Sequence, residues 1–437
     1  MRQDCPEGAA GPDRGWLDDL PRHWSVERVS NRARMSIGWT PPTSDDSNFD
    51  GENLWANISD LGERYVGDTA KRVSDEAVRV ARAHPVPAGS LLFSFKLSVG
   101  AVSFPTVPMY TNEAIAAFTP RRDLDMRYAY YAFPIYILQN AGENIYGAPI
   151  LNQTRLAQAK VAFPPLDEQR AIADYLDRET AQIDAFIAKN EELTTLLTER
   201  RAAATFRLVT GLDVTEVPSK SVKADWFRVV PQTWDVAPLY TMANTFAGGT
   251  PKSDADEYWT DDDDDGVEWI AISDMRAVQA GYPHGGRRVT TAGLEAAGLT
   301  PRSGPLVLFA MYASVGEVAM LRRPAVWNQA ILGIRANPSR LNERYLYWTL
   351  LALRPKLGIY FRSNTQDNLN AAQVRGLRLP VPPLDEQLAI ADQLEETWAS
   401  VDEAIATAQR GVELARERRA ALISAAVTGK IDVGVAV

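Results

Sequence analysis

The hydrophobic positions form two long helical stripes, one closing each half of the chain. Apolar residues recur mostly at intervals of three, four and seven, with charged residues on the remaining faces, the pattern of a heptad stripe. Since a single exposed helix would leave such a stripe in water, we expect the two helices to pack on each other. The predicted spacer-packing residues are Ile172, Leu176, Ile183, Ile187 and Leu197 in the first helix and Ile390, Leu394, Val401, Ile405 and Val412 in the second.

The same hexapeptide, Pro-Pro-Leu-Asp-Glu-Gln, leads into both stripes, beginning at Pro164 and at Pro382. From there the two copies align without a gap at an offset of 218 residues (382 − 164), as far as Gly211 and Gly429. Self-similarity at so long a period indicates two whole domains. The acidic pair in each hexapeptide suits the positive end of a helix dipole, and the two glycines are predicted to end the helices.

A smaller module with short β-runs precedes each helix. The run from Trp55 to Leu61 matches the run from Trp269 to Met275, and both are predicted as short buried strands. Leu91 to Phe95 matches Val307 to Met311 in the same way, and helices are predicted near Asp123 to Leu138 and Asn342 to Leu353. Strands bounded by Gly, Pro, Asn and Ser, together with one helix per module, indicate α+β modules.

The linker after the first helix constrains the direction of the helix pair. The first helix, Asp167 to Leu208, would be roughly 63 Å long at about 1.5 Å per residue. The segment from Leu212 to Val230 could span at most about 65 Å when fully extended. A parallel pair would use all of that length to bring the chain back. We therefore predict an antiparallel two-helix coiled coil that separates the two modules, related as a pseudo-two-fold internal repeat with one module at each end.

The pattern divides the chain into seven segments. The predicted segments are a disordered N-terminal extension at 1–19, a first module at 20–165, a first spacer helix at 166–211, a linker at 212–229, a second module at 230–383, a second spacer helix at 384–429 and a C-terminal tail at 430–437.

Composition supports a soluble, globular chain of two or three domains. Of the 437 residues, 46% are hydrophobic and 23% are charged, and no run of about 18 apolar residues or signal-peptide pattern occurs. A cytoplasmic location is expected. The single cysteine, Cys5, supports neither a disulfide nor a cysteine metal site. The net charge of −10 argues mildly against binding to nucleic acid, because DNA-binding domains usually carry a basic surface. The total can still hide local differences, since the chain contains both the acidic run Asp261–Asp265 and the basic pair Arg287–Arg288.

The sequence contains no recognisable catalytic or metal-binding constellation. No phosphate-binding Gly-x-x-x-x-Gly-Lys-Ser/Thr motif occurs, and His23, His84 and His284 share no ligand spacing. The Pro-Pro pairs lack the Asn and the aromatic residue of the amino-methyltransferase motif. The five aspartates at 261–265 lack the interleaved spacing of an EF-hand, so a solvated acidic loop is the favoured interpretation. We therefore expect no catalytic residue and no metal in this chain.

Several motifs together resemble the specificity subunit of type I restriction-modification systems. They are the doubled hexapeptide helix ending in Val-Thr-Gly, the Ile-Ser-Asp runs that follow Trp55 and Trp269, the segment Gly248 to Lys252 and the segment Asn328 to Ile331. The first module departs from the pattern at Gly38 to Pro41, which lacks the glycine pair. The likeness covers about residues 20 to 437.

The resemblance implies a function. Each module would be a target recognition domain that reads one half of a bipartite sequence in double-stranded DNA. The helical spacer would set the half-site separation and dock two methyltransferase subunits, which bring the restriction and translocase subunits. The chain itself would be a non-catalytic part of a DNA adenine methyltransferase and type I site-specific endonuclease complex. S-adenosylmethionine, ATP and Mg would bind the partner subunits, and this chain would bind no cofactor.

Reading duplex DNA requires cations and polar side chains that reach phosphates and base edges. Positions in the matched loops give the candidate DNA-binding residues, although a turn or surface role is the alternative for each. They are Thr40, Lys96, Ser98, Asn144 and Tyr146 in the first module and Thr250, Lys252, Arg287, Arg288, Tyr312, Ser314, Asn364 and Gln366 in the second.

Two other classes of protein stay open. A coiled-coil adaptor without DNA readout would use its modules to bind proteins, and the acidic charge slightly favours it. A free-standing nuclease or methyltransferase is disfavoured by the missing cofactor motifs.

Overall fold

A computed structural model describes residues 20–121, 123–143, 149–261, 266–276, 283–361 and 368–433. The extension predicted at 1–19 lies outside these residues. The chain divides into two compact units, the first formed by Met1–Asn190 with Arg410–Val437 and the second by Glu191–Gln409. Each unit therefore contains one module together with a segment of both long helices.

The first module combines two main sheets with one core helix. Its strands are β1 (Ser25–Arg28), β2 (Ala33–Ile37), β3 (Asn53–Ala56), β4 (Tyr65–Val66), β5 (Lys71–Val73), β6 (Leu91–Ser94), β7 (Val102–Pro105), β8 (Tyr110–Thr111), β9 (Ile115–Pro120), β10 (Gly142–Glu143), β11 (Pro149–Ile150) and β12 (Lys160–Phe163). Its helices are α1 (Val29–Arg32), α2 (Asp75–Ala81), α3 (Met126–Gln139) and α4 (Gln153–Gln158), followed by the long α5 (Leu166–Thr210). The sheet order is β2-β9-β6-β7-β4 in one sheet and β5-β3-β8 in the other, and β1 pairs with β12.

The second module repeats this plan. Its strands are β13 (Ser219–Ser221), β14 (Val229–Pro231), β15 (Asp235–Pro238), β16 (Ala243–Ala247), β17 (Trp259–Thr260), β18 (Val267–Ile270), β19 (Arg287–Val289), β20 (Leu306–Ala310), β21 (Val318–Leu321), β22 (Ala325–Trp327), β23 (Ile331–Ala336) and β24 (Arg378–Val381). Its helices are α6 (Ile272–Arg276), α7 (Thr291–Ala297), α8 (Glu343–Leu353) and α9 (Ala371–Gly376), followed by the long α10 (Leu384–Val427). The sheet orders are β16-β23-β20-β21 and β17-β19-β18-β22, and β15 pairs with β24.

The prediction that Trp55–Leu61 and Trp269–Met275 are strands is wrong in its second half. The strands end at Ala56 and Ile270, and the Ile-Ser-Asp run forms a helical turn in both modules. The cause is the aspartate. Asp60 accepts a hydrogen bond from the backbone N–H of Asn57 (2.8 Å), and Asp274 accepts one from Ala271 (2.8 Å), so the carboxylate stabilises a turn.

The glutamine of each hexapeptide is fully buried and fixes the module to its long helix. Gln169 donates hydrogen bonds to the carbonyls of Pro164 (2.8 Å) and Asp123 (3.0 Å) and accepts one from the N–H of Asp125 (2.9 Å). Gln387 makes the same three contacts in the second unit, with Pro382 (2.8 Å), Arg340 (3.0 Å) and Asn342 (2.8 Å). One side chain thus satisfies three backbone groups where the core helix of the module begins.

The preceding glutamate binds the tryptophan that opens each module. Glu168 accepts a hydrogen bond from Nε1 of Trp24 (3.0 Å), and Glu386 accepts one from Nε1 of Trp234 (2.7 Å). Both tryptophans are buried. The Glu and Gln of the repeated hexapeptide are therefore explained by contacts within each unit.

The long helices pack in antiparallel directions within each unit. In the first unit, Ile172 and Leu176 share a core with Ala426 at the end of α10, while Asp184, farther along α5, binds Arg419 (2.9 Å). In the second unit, Trp398 donates a hydrogen bond to Thr205 (2.9 Å), and Arg201 pairs with Asp402. All ten predicted spacer-packing residues are buried or half-buried.

The two predicted stops are confirmed, because Gly211 and Gly429 adopt φ values of 72° and 71°. The fold class, two α+β modules separated by an antiparallel two-helix coiled coil, is confirmed as well. Within the described ranges, no helix is long and apolar enough to cross a membrane. The exact boundaries of the seven segments stay a prediction.

Candidate nucleic-acid interface

A glycine loop lies against the end of a buried strand in each module. A Cβ atom on Gly38 would lie 2.1 Å from the carbonyl oxygen of Thr111, and one on Gly248 would lie 2.2 Å from that of Asn328. Separations this short do not occur between real atoms, so only glycine permits the approach. A tryptophan fixes the next residue of each loop: Trp55 donates to the Trp39 carbonyl and Trp269 donates to the Gly249 carbonyl, both at 2.9 Å.

In the first module, three loops converge on Glu113. The Thr40 hydroxyl donates a hydrogen bond to its carboxylate, and the Lys96 ammonium lies 3.7 Å from it. The hydrogen bond from Thr40, with Lys96 adding to it, lowers the pKa of Glu113. The side chains of Lys96 and Glu113 are about half exposed. Ser98, at the tip of the same loop as Lys96, is exposed and adopts φ 45°.

The second module brings the equivalent loops together around Gln329. Thr250 donates a hydrogen bond to the side-chain oxygen of Gln329, as Thr40 does to Glu113. The loop that carries Tyr312 and Ser314 is held beside Gln329, because the N–H of Met311 donates to the carbonyl of Ala330 (2.8 Å). Tyr312 is exposed and Ser314 is half-buried. The predicted residues Thr250, Tyr312 and Ser314 therefore lie in adjoining loops.

A tryptophan links two of the predicted cations of the second module. The guanidinium of Arg287 lies 4.0 Å from the ring centre of Trp259, whose Nε1 donates to the Lys252 carbonyl (2.9 Å). The side chains of Arg287 and Lys252 are exposed. Arg288 differs, because it is half-buried and donates to the Gly266 carbonyl (2.9 Å). The hydrogen bond of Arg288 to Gly266 gives this residue a role within the module that does not require DNA.

The structure adds three residues to the predicted set. Glu113 and Gln329 occupy the centre of the two loop clusters, and the sequence signal that could have identified them is the match of Asn112–Ile115 with Asn328–Ile331 at an offset of 216. Lys71 lies 5.5 Å from the ring of Phe49, the same arrangement as Arg287 over Trp259. Its position 216 residues before Arg287 could have identified it.

Four of the predicted DNA-binding residues, Asn144, Tyr146, Asn364 and Gln366, lie outside the described residues, as does most of the acidic loop at 261–265. The assignment of any single residue to DNA stays a prediction. Two histidines have acidic neighbours, with His23 2.8 Å from Glu168 and His284 3.6 Å from Glu268. Across the described ranges, no group of three or more His, Cys, Asp and Glu side chains is arranged to hold a metal.

The fold defines a class of protein: a duplicated α+β module with a polar loop cluster in each copy, separated by a helical spacer. A family model of the type I restriction modification DNA specificity domain matches residues 28–195 and 231–407. The chain therefore belongs to the family of type I restriction-modification specificity subunits, as its motifs predicted.

Relatives and solved structures agree with this membership. The chain is 23% identical to the EcoBI specificity subunit of Escherichia coli over 72% of its own length and 69% of the relative's. It is 19% identical to the MjaVIII specificity subunit of Methanocaldococcus jannaschii over 95% of its own length and 94% of the relative's. The match to the MjaIX subunit of that organism, at 23% identity, is shorter and spans 37% of this chain and 38% of the relative.

Two solved structures share the fold. One is a chain from work on complex assembly and conformational transition of the type I R-M system, with a TM-score of 0.69 and 15% identity over 94% of this chain and 99% of that one. The other is the HsdS subunit from Thermoanaerobacter tengcongensis, with a TM-score of 0.51 and 16% identity over 94% of this chain and 98% of that one.

Proposed function

We propose that this chain is a non-catalytic specificity subunit that reads a bipartite, asymmetric target in double-stranded DNA, one module per half-site. The coiled coil sets the separation of the half-sites and docks two methyltransferase subunits, through which restriction and translocase subunits join. The assembly methylates adenine and acts as a type I endonuclease in the cytoplasm. S-adenosylmethionine, ATP and Mg bind the partner subunits.

The observation that carries this proposal is the repetition of one loop cluster with different chemistry. Both modules hold a threonine against the residue at the same matched position, Glu113 in the first and Gln329 in the second. Hydroxyl, amide and carboxylate groups are the side chains that pair with base edges, and the nearby lysines and arginines suit phosphates. Two similar frames that present different groups suit two different half-sites.

Sequencing of methylated bases in the host, with and without this chain, tests the proposal. The expected result is one bipartite motif whose adenine methylation disappears when the chain is deleted. Lys252→Ala should weaken binding to all sequences alike and reduce the salt dependence, because it removes a phosphate contact. Loss of a base-reading side chain should instead cost about 1–3 kcal/mol at one base position.

The competing function is a coiled-coil adaptor that binds proteins without reading DNA, which the net charge of −10 favours. A gel-shift assay of this chain with its methyltransferase subunits, at 50 and 200 mM salt, distinguishes the two functions. An adaptor would show no salt-sensitive binding to duplex DNA, and deletion of the chain would leave adenine methylation unchanged.

A further inference from the structure

A pocket of about 300 Å³ lies beside the glycine loop of the second module. It is formed by the end of β16, the segment after α7 and the end of β22, and its walls include Thr245, Gly248, Thr300, Arg302 and Trp327. Among the described residues that line it, none is acidic. The walls therefore present a cationic group and two hydroxyl groups, with no carboxylate to neutralise the cation.

Two arginines share one aromatic ring at this pocket. The guanidinium of Arg302 lies 4.3 Å from the ring centre of Phe246, another wall residue, and that of Arg335 lies 5.5 Å from the same ring centre. Arg335 also donates to the carbonyl of Ser303 (2.9 Å). Both arginines are half-buried, and within the part of the chain that the structure describes neither pairs with a carboxylate. Since cations removed from water are usually paired, the two guanidinium groups favour an anion from outside the chain.

A further hydrogen-bond donor lies in the same wall. Trp327 is buried, and its indole N–H has no acceptor among the described residues. An added Cβ atom on Gly248 would lie 2.4 Å from Cδ1 of this ring, the carbon bonded to the indole nitrogen, so this edge of the ring lies against the glycine loop. Because buried donors normally have an acceptor, the pocket offers more donors than the described protein groups satisfy.

The first module does not repeat this arrangement. Strand register fixes the matches, with Ser36 in the place of Phe246, Val86 in the place of Arg302 and Thr119 in the place of Arg335. Val86 is buried in an apolar cluster. None of the three matched residues is cationic or aromatic, so the chemistry of the pocket belongs to the second module alone.

We propose that this pocket binds one phosphate group of the DNA backbone, beside the half-site of the second module. Arg302 is the main ligand, because its planar guanidinium suits phosphate oxygens, and Arg335 adds a second positive charge at the same ring. The pocket adjoins the loop that carries Thr250 and Lys252, since Gly248 is in its wall and the α-carbons of Gly248 and Thr250 are at most about 7.6 Å apart. A strand whose base is read by this loop therefore brings its backbone to the pocket. This inference rests on the proposed reading of double-stranded DNA.

The substitution Arg302→Val tests the site, because it gives the second module the residue that the first module has. The full-length chain with its methyltransferase subunits is titrated with a duplex that carries the motif found by sequencing of methylated bases, at 50 and 200 mM salt. We expect about tenfold weaker binding at 50 mM and a loss about threefold smaller at 200 mM, because one fewer counterion is released. Arg375→Val is the matched control, since it removes the same charge from an exposed position on α9 and should leave the affinity close to wild type.

Duplexes in which single phosphates are replaced by neutral methylphosphonates locate the contact. At one of the phosphates whose replacement weakens wild-type binding, we expect Arg302→Val to lose no further affinity, because the protein and DNA changes remove the same contact. That phosphate should lie beside one half-site only, since the first module has no matching arginine. Arg302→Gln takes the place of Arg302→Val in both experiments if the latter does not fold.

The outcomes separate this inference from the function on which it rests. If the wild-type complex binds no duplex DNA, the proposed function is wrong and the phosphate site falls with it. If the wild type binds DNA and the folded Arg302 variant binds equally well, or no better than Arg375→Val, only the phosphate site is overturned. Additive losses at every methylphosphonate would also overturn the direct contact. Binding of inorganic phosphate that Arg302→Val abolishes, with unchanged DNA affinity, would overturn the DNA source and assign the pocket to a small anion.

Discussion

The two units agree where the module meets the long helix and differ where side chains reach solvent. Gln169 and Gln387 make matching sets of three hydrogen bonds, whereas the loop clusters are centred on Glu113 in one unit and on Gln329 in the other. Duplication thus produced two equal attachments with two unequal exposed surfaces. The difference indicates that the attachments carry stability, and under the proposed function the loops are where the specificities of the two modules would differ.

The largest expected effect tests whether the attachments are equal. Gln169→Leu and Gln387→Leu each leave three buried backbone groups without a partner, at about 1–3 kcal/mol per group. We expect each variant to lose about 3–5 kcal/mol of the free energy of unfolding of its own unit, measured by chemical denaturation.

The matched control is Gln393→Leu on α10, whose side chain is exposed. Surface substitutions of this kind usually change stability by no more than about 0.5 kcal/mol. A loss below 1 kcal/mol for either buried glutamine, or clearly unequal losses, would contradict the equivalence of the two attachments.

The repeated long helices of the two units could be predicted from the sequence, whereas their turns and loop clusters could be predicted only in part. The heptad stripe predicts α5 and α10 because burial of one helix face sets the spacing. The turn after Trp55 was missed because it depends on a hydrogen bond from Asn57 to Asp60, which competes with the apolar pattern of a strand. The loop cluster was found only in part, because the pairing of Thr40 with Glu113 joins residues 73 positions apart.

The second prediction concerns Trp398 of the second unit, whose matched residue in the first unit is the buried Thr180. Trp398→Thr should remove the ring that packs at a tilt against Trp348 and the aromatic face beside the Arg201 guanidinium. Because Trp398 is half-buried, we expect a loss of about 2–3 kcal/mol, below the range of a fully buried tryptophan.

Ala399→Thr is the control for this loss. It introduces the same side chain at the next, exposed position and should cost only the difference in helix propensity, about 0.6 kcal/mol. Denaturation of both variants decides the point: equal losses would show that the Trp398 cluster adds no stability beyond helix propensity.

The third prediction tests whether the glycine loops are equally constrained. Gly38→Ala and Gly248→Ala each place a Cβ atom within 2.2 Å of backbone carbonyl oxygen, so the loop has to move. We expect a loss of about 1–3 kcal/mol in each case and weaker DNA binding, because Thr40 or Thr250 moves with the loop.

Gly62→Ala and Gly286→Ala are the controls, one in each module, since an added Cβ would meet nothing within 4 Å. They should leave thermal stability and DNA affinity close to wild type. Wild-type behaviour of Gly38→Ala would show that the loop in the first module shifts without cost and does not position Thr40.

The smallest expected effect exchanges the carboxylate at the centre of the first loop cluster for the amide of the second, and the reverse. Glu113→Gln removes a carboxylate from the first cluster, and Gln329→Glu adds one to the second. If both clusters face phosphates, the first substitution should raise DNA affinity at 50 mM salt and the second should lower it. Each change should be about threefold larger at 50 mM than at 200 mM salt, because one fewer or one more charge alters the number of released counterions.

Stability should change by no more than about 0.5 kcal/mol in either variant, because both positions are exposed. Glu192→Gln on α5 makes the same change of net charge at an exposed helix position and should leave binding unaltered. A change of equal size for Glu192→Gln would show that the net charge of the chain, and not the loop clusters, governs affinity. An effect of Glu113→Gln without an opposite effect of Gln329→Glu would mean that only the first module brings this position to the DNA.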